Sequence, residues 1–166
     1  MKQMIYILSG LPGSGKTTYA QKLAKESNGI VFSTDAWMTD LFWMDKRDED
    51  GLDWALERTQ RCETRMIATC AQLQALNVSA ILDIGFVNLE CRQQAYKKLA
   101  SFNLDYEIRV LQVNKEIRWQ RVEQRNQTKS ETYSFHVSRE MFEFMESHFD
   151  PFSSEETNKT IRYIKG

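Results

Sequence analysis

The sequence predicts an α/β fold of three layers, in which a five-stranded, mostly parallel sheet has helices on both faces. Short apolar segments rich in β-forming residues, such as residues 4–8 and 78–83, alternate with longer stretches of helical spacing. This alternation favours parallel pairing, because two parallel strands need a crossover connection that is usually a helix. The 166 residues, 42% hydrophobic and 27% charged, favour a single globular domain over residues 1–166.

The most specific stretch runs from Gly10 to Thr17 and has the spacing G-x-x-x-x-G-K-[ST]. The apolar segment 4–8 precedes it as a buried strand would, and residues 17–26 follow it with helical periodicity. A phosphate-binding loop needs this order of strand, glycine-rich loop and helix. The context therefore predicts the fold of a P-loop NTPase.

The residues of this loop are predicted to bind ATP together with Mg²⁺. Glycines allow the backbone to wrap closely round a phosphate chain, so that successive N–H groups and the helix N-terminus point at the anion. Lys16 is expected to reach the β- and γ-phosphates, and the Thr17 hydroxyl to bind Mg²⁺. The rest of the predicted nucleotide-binding set is Gly10, Gly13, Ser14, Gly15 and Thr18.

A carboxylate follows the second predicted strand, residues 30–33, at Asp35. Ligands of parallel sheets bind beyond the C-terminal ends of the strands, so Asp35 is expected near the mouth of the P-loop. A second interpretation makes Asp35 the N-cap of the helix that begins at the following residues.

Residues 37–54 combine an apolar cluster with a charged run at residues 45–50. One interpretation is a short amphipathic helix packed on the body, followed by a solvated loop. The other is a lid or pocket wall for a second substrate, with aromatic side chains facing it. The two interpretations are compatible.

A long helix is predicted over residues 52–76, and the strand after it, residues 78–83, ends in Asp83. An apolar strand that ends in a carboxylate resembles the Walker B pattern. Asp83 is therefore expected beside Mg²⁺, bound to it directly or through water.

The remaining pattern predicts helices over residues 89–102, 115–126 and 137–149, and strands over residues 106–113 and 159–164. The helix 115–126 has Arg118, Arg121 and Arg125 on one face. These arginines are either a solvated basic stripe or groups that close over the transferred phosphate, which guanidinium groups bind well. A polar stretch after them predicts a lid or flap around residues 118–137.

Composition sets limits on partners and compartment. The formal net charge is −1, which predicts no large nucleic-acid footprint. The three cysteines have no metal-like spacing and indicate reduced thiols in a cytoplasmic protein. The sequence contains no apparent signal peptide and no apolar run of membrane-spanning length.

Four stretches together resemble the small P-loop kinases of the polynucleotide-kinase and zeta-toxin type, and more distantly adenylate and gluconate kinases, among the AAA-type ATP-binding proteins. They are residues 10–18, 33–35, 81–83 and 121–126, with a weaker match at 149–151. The resemblance implies the sheet order of adenylate kinase. It also implies that Asp35 accepts the proton of the acceptor hydroxyl, and that Arg121 and Arg125 bind the donor phosphates.

The chain differs from polynucleotide kinases at Met38, where an arginine follows the catalytic aspartate by three residues in those enzymes. This difference favours a small hydroxyl compound over a nucleic-acid 5′ end as the acceptor. The alternatives are a nucleotide or nucleic-acid 5′-hydroxyl kinase, an ATPase or nucleotide switch without an acceptor, and a nucleotide-binding module without turnover. The predicted catalytic set is Lys16, Asp35, Arg121 and Arg125.

Overall fold

The computed structural model describes residues 3–129, 136–158 and 160–166. The strands are β1 (Ile5–Ser9), β2 (Gly29–Ser33), β3 (Ser79–Asp83), β4 (Tyr106–Gln112) and β5 (Ile161–Lys165). The helices are α1 (Lys16–Ser27), α2 (Thr34–Leu41), α3 (Leu52–Ala75), α4 (Leu89–Ser101), α5 (Lys115–Thr128) and α6 (Arg139–Ser147). Short 3₁₀ turns lie at Trp43–Asp45 and Ser154–Asn158.

The five strands form one sheet in the order β2-β3-β1-β4-β5, and every pairing is parallel. The prediction of a five-stranded, mostly parallel, adenylate-kinase-like sheet is confirmed. Because β1 lies in the middle, the loop that follows it opens at the centre of the C-terminal edge, where the strand order reverses. Ligands of parallel sheets bind at this point.

Two apolar clusters cover the two faces of the sheet, as three layers require. The larger cluster joins alternate residues of β1, β3 and β4 to the helices α2, α3 and α4, with Met66, Ile67 and Leu99 fully buried. The smaller cluster packs Ala20 and Leu23 of α1 against the opposite face. Alternate strand residues point to opposite faces, so one strand contributes to both clusters.

A third cluster holds α5 against α6 through Val122, Val137 and Phe142, with the Trp119 ring edge-on to Phe142 at 5.2 Å between centroids. This cluster positions α5, the helix that carries the predicted arginines, and it contains no residue of the sheet.

A buried ion pair between Arg92 and Glu156 holds the segment that connects α6 to β5 against α4. Arg92 of α4 is fully buried, and its five N–H groups donate to both carboxylate oxygens of Glu156 and to the backbone carbonyls of Val87, Asp150 and Pro151. The hydroxyl of Tyr96 also donates to Glu156, at 2.8 Å. All donors of a buried arginine are thus satisfied, as a structural role requires.

Among the residues that the structure describes, no helix is both long enough and apolar enough to cross a membrane.

Candidate active site

Two glycines allow the loop between β1 and α1 to adopt its backbone conformation. Gly13 and Gly15 have φ angles of 78° and 87°, in the left-handed region that favours glycine. A Cβ atom at Gly13 would lie 2.3 Å from the carbonyl oxygen of Arg118, so α5 could not approach the loop if any other residue stood there. The exposed Gly15 precedes α1, and the exposed Thr17 and Thr18 lie in its first turn.

Lys16 lies within this loop as the first residue of α1, and its ammonium group donates to the carbonyl oxygen of Gly10 at 2.6 Å. Burial lowers the pKa of Lys16, and the nearby carboxylates of Asp83 and Asp35 oppose that shift. Arg125 and Arg118 lower the pKa further. The lysine is therefore held among two carboxylates and two guanidinium groups.

Asp83 and Asp35 come from neighbouring strands. Asp83 is the last residue of β3, and it is in register with Ser33, the last residue of β2, two positions before Asp35. Burial raises the pKa of the Asp83 carboxyl, Lys16 lowers it, and Asp35 raises it. The structure thus brings together the three predicted residues Lys16, Asp35 and Asp83.

Asp35 is not the N-cap of α2, so that interpretation of the sequence is wrong. The cap is Ser33, whose hydroxyl oxygen accepts from the backbone N–H of Ala36 at 3.3 Å. Asp35 is an exposed residue of the first helical turn. Its carboxylate is thereby available to a ligand at the sheet edge.

The three arginines of α5 have different surroundings. Arg118 is 4% exposed; it binds both carboxylate oxygens of Glu146 at 2.7 and 3.0 Å and donates to the carbonyl oxygen of Pro12 at 3.4 Å. Arg118 therefore links the P-loop to α6, and neither interpretation of the arginine face describes it. Arg121 is exposed and donates to the carbonyl oxygen of Gly13 at 3.5 Å.

Arg125 lies close enough to Lys16 to lower its pKa. The Nε atom of Arg125 is buried and has no hydrogen-bond partner among the described residues. A guanidinium nitrogen in that state is costly to bury unless a ligand accepts from it.

The predicted flap begins within α5 and includes residues 130–135, which lie outside the described residues. At its far side, the Asn126 amide donates to the carbonyl of Val137 at 2.8 Å and accepts from its N–H at 3.2 Å. Asn126 is therefore joined to Val137, the last residue of the predicted flap, by a contact that only the folded chain reveals.

Two further buried polar atoms, the hydroxyl oxygens of Ser14 and Thr34, lack partners within the described part of the chain. Ser14 lies in the P-loop, and Thr34 precedes Asp35. With Lys16 and the Arg125 Nε, these groups suit the phosphates of a nucleotide. Over the same described part, no group of three or more His, Cys, Asp or Glu residues has the arrangement of a metal site. The predicted Mg²⁺ site, with Thr17, Asp83 and phosphate oxygens as ligands, would not need such a group.

The aromatic cluster after Asp35 is mostly packed against the main core. Trp37, Phe42 and Trp54 are partly buried there, whereas Trp43 is 51% exposed. Met38, which stands where polynucleotide kinases have an arginine, is 8% exposed and belongs to the main core.

Sequence reasoning missed two groups that shape the end of β3. The Glu63 carboxylate of α3 accepts from the Gly85 backbone N–H at 3.2 Å, and burial raises the pKa of this carboxyl. The Ser9 hydroxyl, directly before the P-loop, donates to the Phe86 carbonyl at 2.9 Å. No local sequence pattern predicts these contacts, because Glu63 and Gly85 are 22 residues apart and Ser9 and Phe86 are 77 residues apart.

A family model described as an AAA domain matches residues 5–152, which is most of the chain. No curated protein sequence is significantly similar to it.

Several solved structures share the fold at low sequence identity. A sugar kinase from Janibacter sp. HTCC2649 superposes with a TM-score of 0.68 and 15% identity, over 98% of this chain and 85% of that chain. Kti12 from Chaetomium thermophilum, in complex with ADP-AlF3, gives 0.67 and 15%, over 96% and 88%. The APS kinase CysC from Mycobacterium tuberculosis, in complex with AMPPNP and APS, gives 0.66 and 14%, over 99% and 88%.

Proposed function

The chain belongs to this AAA-domain family and has the fold of small P-loop kinases, and from that premise we propose that it transfers the γ-phosphoryl group of Mg·ATP to a hydroxyl group of a small molecule. The observation that carries the proposal is the convergence of buried cationic and polar groups on the P-loop. Lys16 lies there with its pKa lowered by burial, and the Arg125 Nε and the Ser14 hydroxyl lack protein partners among the described residues.

On this proposal the donor phosphates are bound by the loop and by α5. The backbone N–H groups of Gly13, Ser14 and Gly15, with the α1 N-terminus, bind phosphate oxygens. Lys16 then exchanges its hydrogen bond with the Gly10 carbonyl for the β- and γ-phosphates. The loop is completed by Gly10, Thr17 and Thr18.

Arg121 and Arg125 are proposed to stabilise charge on the γ-phosphoryl oxygens. Phosphoryl transfer makes little covalent demand on the protein, so positioning and cation placement dominate the rate. The guanidinium of Arg121 donates to the Gly13 carbonyl oxygen of the P-loop. The buried Nε atom of Arg125 has no hydrogen-bond partner among the described residues. The planar guanidinium group can bind two phosphate oxygens at once.

Thr17 and Asp83 are the residues proposed to hold Mg²⁺. When bound there, the ion would neutralise charge on the phosphate oxygens. Asp83 suits the site because it ends a buried strand beside Lys16. A cation beside Asp83 would favour its ionised form, against the effect of burial.

Asp35 is proposed as the group that orients the acceptor hydroxyl and takes its proton. Its exposure at the start of α2, close to Lys16 and Asp83, supports this role. General-base catalysis of this kind contributes about 10²–10⁴-fold. The whole chain would act as one kinase domain, with residues 118–137 as the lid that excludes water.

A nucleic-acid acceptor is the less favoured alternative, because the segment that contains Asp35 is acidic. Residues 34–61, which follow β2, contain eight acidic and four basic residues, which gives a net charge of −4. A polynucleotide needs phosphate contacts along its length, and these make its affinity steeply dependent on salt. An acidic surface would repel it.

The proposal is tested first with Lys16→Ala. This variant should keep the fold, lose affinity for a non-hydrolysable ATP analogue, and transfer no phosphate from radiolabelled ATP to nucleosides, sugars, antibiotics or oligonucleotide ends. Wild-type affinity for the analogue together with unchanged transfer would rule out the assignment.

The acceptor class is tested with Asp35→Asn, which should bind an acceptor but transfer phosphate poorly. With the ATP analogue present, this variant is titrated with the small acceptors and with oligonucleotides at two salt concentrations. Tight oligonucleotide binding that weakens steeply with salt, with 5′-end labelling by the unmutated protein, would instead identify a polynucleotide kinase.

A further inference from the structure

From the contacts between α5, α6 and the P-loop we infer that Glu146 is a positioning residue, which acts through Arg118 to hold α5 so that Arg125 lies beside Lys16. The inference rests on the proposed function, because it assumes that Arg125 stabilises the γ-phosphoryl group. It adds to that proposal a residue of α6 that acts on the reaction without binding a ligand.

The first step concerns where α5 meets the P-loop. The guanidinium of Arg118 donates to the carbonyl oxygen of Pro12 at 3.4 Å and, through Nε, to that of Val113 at 3.0 Å. The backbone of the same residue approaches Gly13 so closely that a Cβ atom there would lie 2.3 Å from the Arg118 carbonyl oxygen. The first turn of α5 is therefore in direct contact with the loop, whereas the apolar side of the helix packs against α6.

The second step concerns the direction in which Arg125 points. Arg125 follows Arg118 by seven residues, which is roughly 20° short of two full helical turns and about 10.5 Å along the axis. The two side chains therefore lie on the same face of α5. A tilt of α5 by about 10° at the Arg118 contact would move the backbone of Arg125 by about 2 Å. A misplacement of about 1 Å can cost about 100-fold in rate, so the position of Arg118 matters for Arg125.

The third step concerns how Arg118 is held. Both carboxylate oxygens of Glu146 accept from its Nη2 atom, at 2.7 and 3.0 Å, and the Arg118 side chain is 5% exposed. The centre of the Phe142 ring, one turn earlier on α6, lies 5.2 Å from the guanidinium carbon. Without the carboxylate of Glu146 this buried guanidinium would have no counterion, which disfavours the position that it now occupies.

The fourth step concerns the end of α6 that carries Glu146, which is itself fixed to the body of the fold. Asp150, four residues later, accepts at its carbonyl oxygen from the buried Arg92 at 2.8 Å and donates its N–H to the Val87 carbonyl at 3.1 Å. Its carboxylate accepts from the Leu89 N–H at 2.8 Å. A chain of contacts thus runs from α4 through the end of α6 to α5 and the P-loop.

Glu143 provides a matched comparison on the same helix. It also pairs with a basic residue of α5, Lys115, at 2.6 Å, but both side chains are more than a third exposed. Within the described residues no hydrogen bond joins Lys115 to the P-loop. A positioning role predicts an effect for Glu146 and none for Glu143, whereas a general role in joining α5 to α6 predicts an effect for both.

The experiment measures how much aluminium fluoride tightens the binding of Mg·ADP, because this complex mimics the transferred phosphoryl group and needs no acceptor. Calorimetry gives the affinity for Mg·ADP with and without aluminium fluoride, and the ratio is compared between proteins. Arg118 and Glu146 also border a cavity of about 640 Å³ beside the P-loop, and the ratio removes any general effect on nucleotide affinity. For the unmutated protein the ratio should be at least about 100.

Glu146→Gln should reduce this ratio by about 10- to 100-fold, while the affinity for Mg·ADP alone changes little. Glu143→Gln should keep the ratio of the unmutated protein. In the Arg125→Ala background, Glu146→Gln should have little further effect, because the residue that it positions is absent. If Glu146→Gln does not fold, the double variant Arg118→Met, Glu146→Leu leaves neither charge buried and should show the same loss.

Three results would each overturn the inference: an unchanged ratio in the folded Glu146 variants, an equal loss in Glu143→Gln, or losses from Glu146→Gln and Arg125→Ala that simply multiply. Failure of the proposed function has a different signature, which the unmutated protein itself would show. Absence of Mg·ADP binding, or binding that aluminium fluoride does not tighten, would remove the kinase assignment and the inference together.

Discussion

Arg92 and Arg125 are two arginines with buried donor atoms, and their surroundings differ in one respect. Every N–H group of Arg92 donates to a carboxylate or carbonyl oxygen of the chain. The buried Nε of Arg125 has no partner among the described residues, and Lys16 lies nearby. A buried donor without a partner lowers the free energy of unfolding by about 1–3 kcal/mol. A ligand that accepts a hydrogen bond from this atom would offset that loss.

On the proposed function, the difference separates an arginine that holds the fold from one that binds the phosphates of the nucleotide. Arg118 illustrates the point on a single helix, because it lies one or two turns from Arg121 and Arg125 and yet is paired with Glu146. Residue type and helix face do not distinguish Arg118 from Arg125, whereas their hydrogen-bond partners do.

The largest effect is expected for Arg125→Ala. If its guanidinium stabilises the γ-phosphoryl oxygens as proposed, removing it should lower kcat by about 10³–10⁵-fold, with a smaller rise in the KM for ATP. Stability should change little, since Arg125 Nε forms no protein hydrogen bond within the described residues. Steady-state kinetics and denaturant unfolding measure the two quantities.

The control for that variant is Arg65→Ala, which removes an exposed arginine of α3. It should leave both kcat and stability unchanged. If Arg125→Ala raises the KM at unchanged kcat, Arg125 contributes ground-state binding alone, and the proposed transition-state role is wrong.

The opposite pattern is expected for Arg92→Met. Removing one partner of a buried ion pair leaves the Glu156 carboxylate uncompensated, which costs about 3–5 kcal/mol of unfolding free energy. The folded fraction should bind the ATP analogue as the unmutated protein does. Urea unfolding provides the first quantity and calorimetry the second.

The double variant Arg92→Met, Glu156→Leu should recover part of the lost stability, because neither charge is then buried. A single variant as stable as the unmutated protein would show that the buried pair does not hold the α6–β5 connection.

The smallest effect concerns pH. Burial acts to raise the pKa of Glu156, but hydrogen bonds from Arg92, Ser153 and Tyr96 outweigh it and hold the pKa at about 2. A lowered folded-state pKa stabilises the protein above the unfolded value of about 4.3, and this contribution is lost as pH falls toward 2. The free energy of unfolding should therefore decrease between about pH 5 and pH 2.

Glu156→Gln should be less stable at pH 7 and should have a flatter dependence on pH in that window. Identical pH profiles for the two proteins would mean that other carboxylates cause the acid destabilisation, and the Arg92 region would then not be distinguished by this test.

Sequence by itself determined the elements and the P-loop, because these depend on short-range patterns. Within the described residues, the apolar period of two or about 3.6 residues located the strands and most of the helices to within two residues. The spacing from Gly10 to Thr17 located the phosphate-binding loop, because a glycine-rich turn between strand and helix is encoded within one continuous stretch.

Tertiary structure alone decided which polar groups are already paired. Arg118 and Arg125 are equivalent in the sequence pattern, but Glu146, 28 residues after Arg118, pairs with only one of them in the fold. Hydrogen bonds and burial depend on which distant segments of the chain are in contact in the fold, and a local sequence pattern does not contain that information.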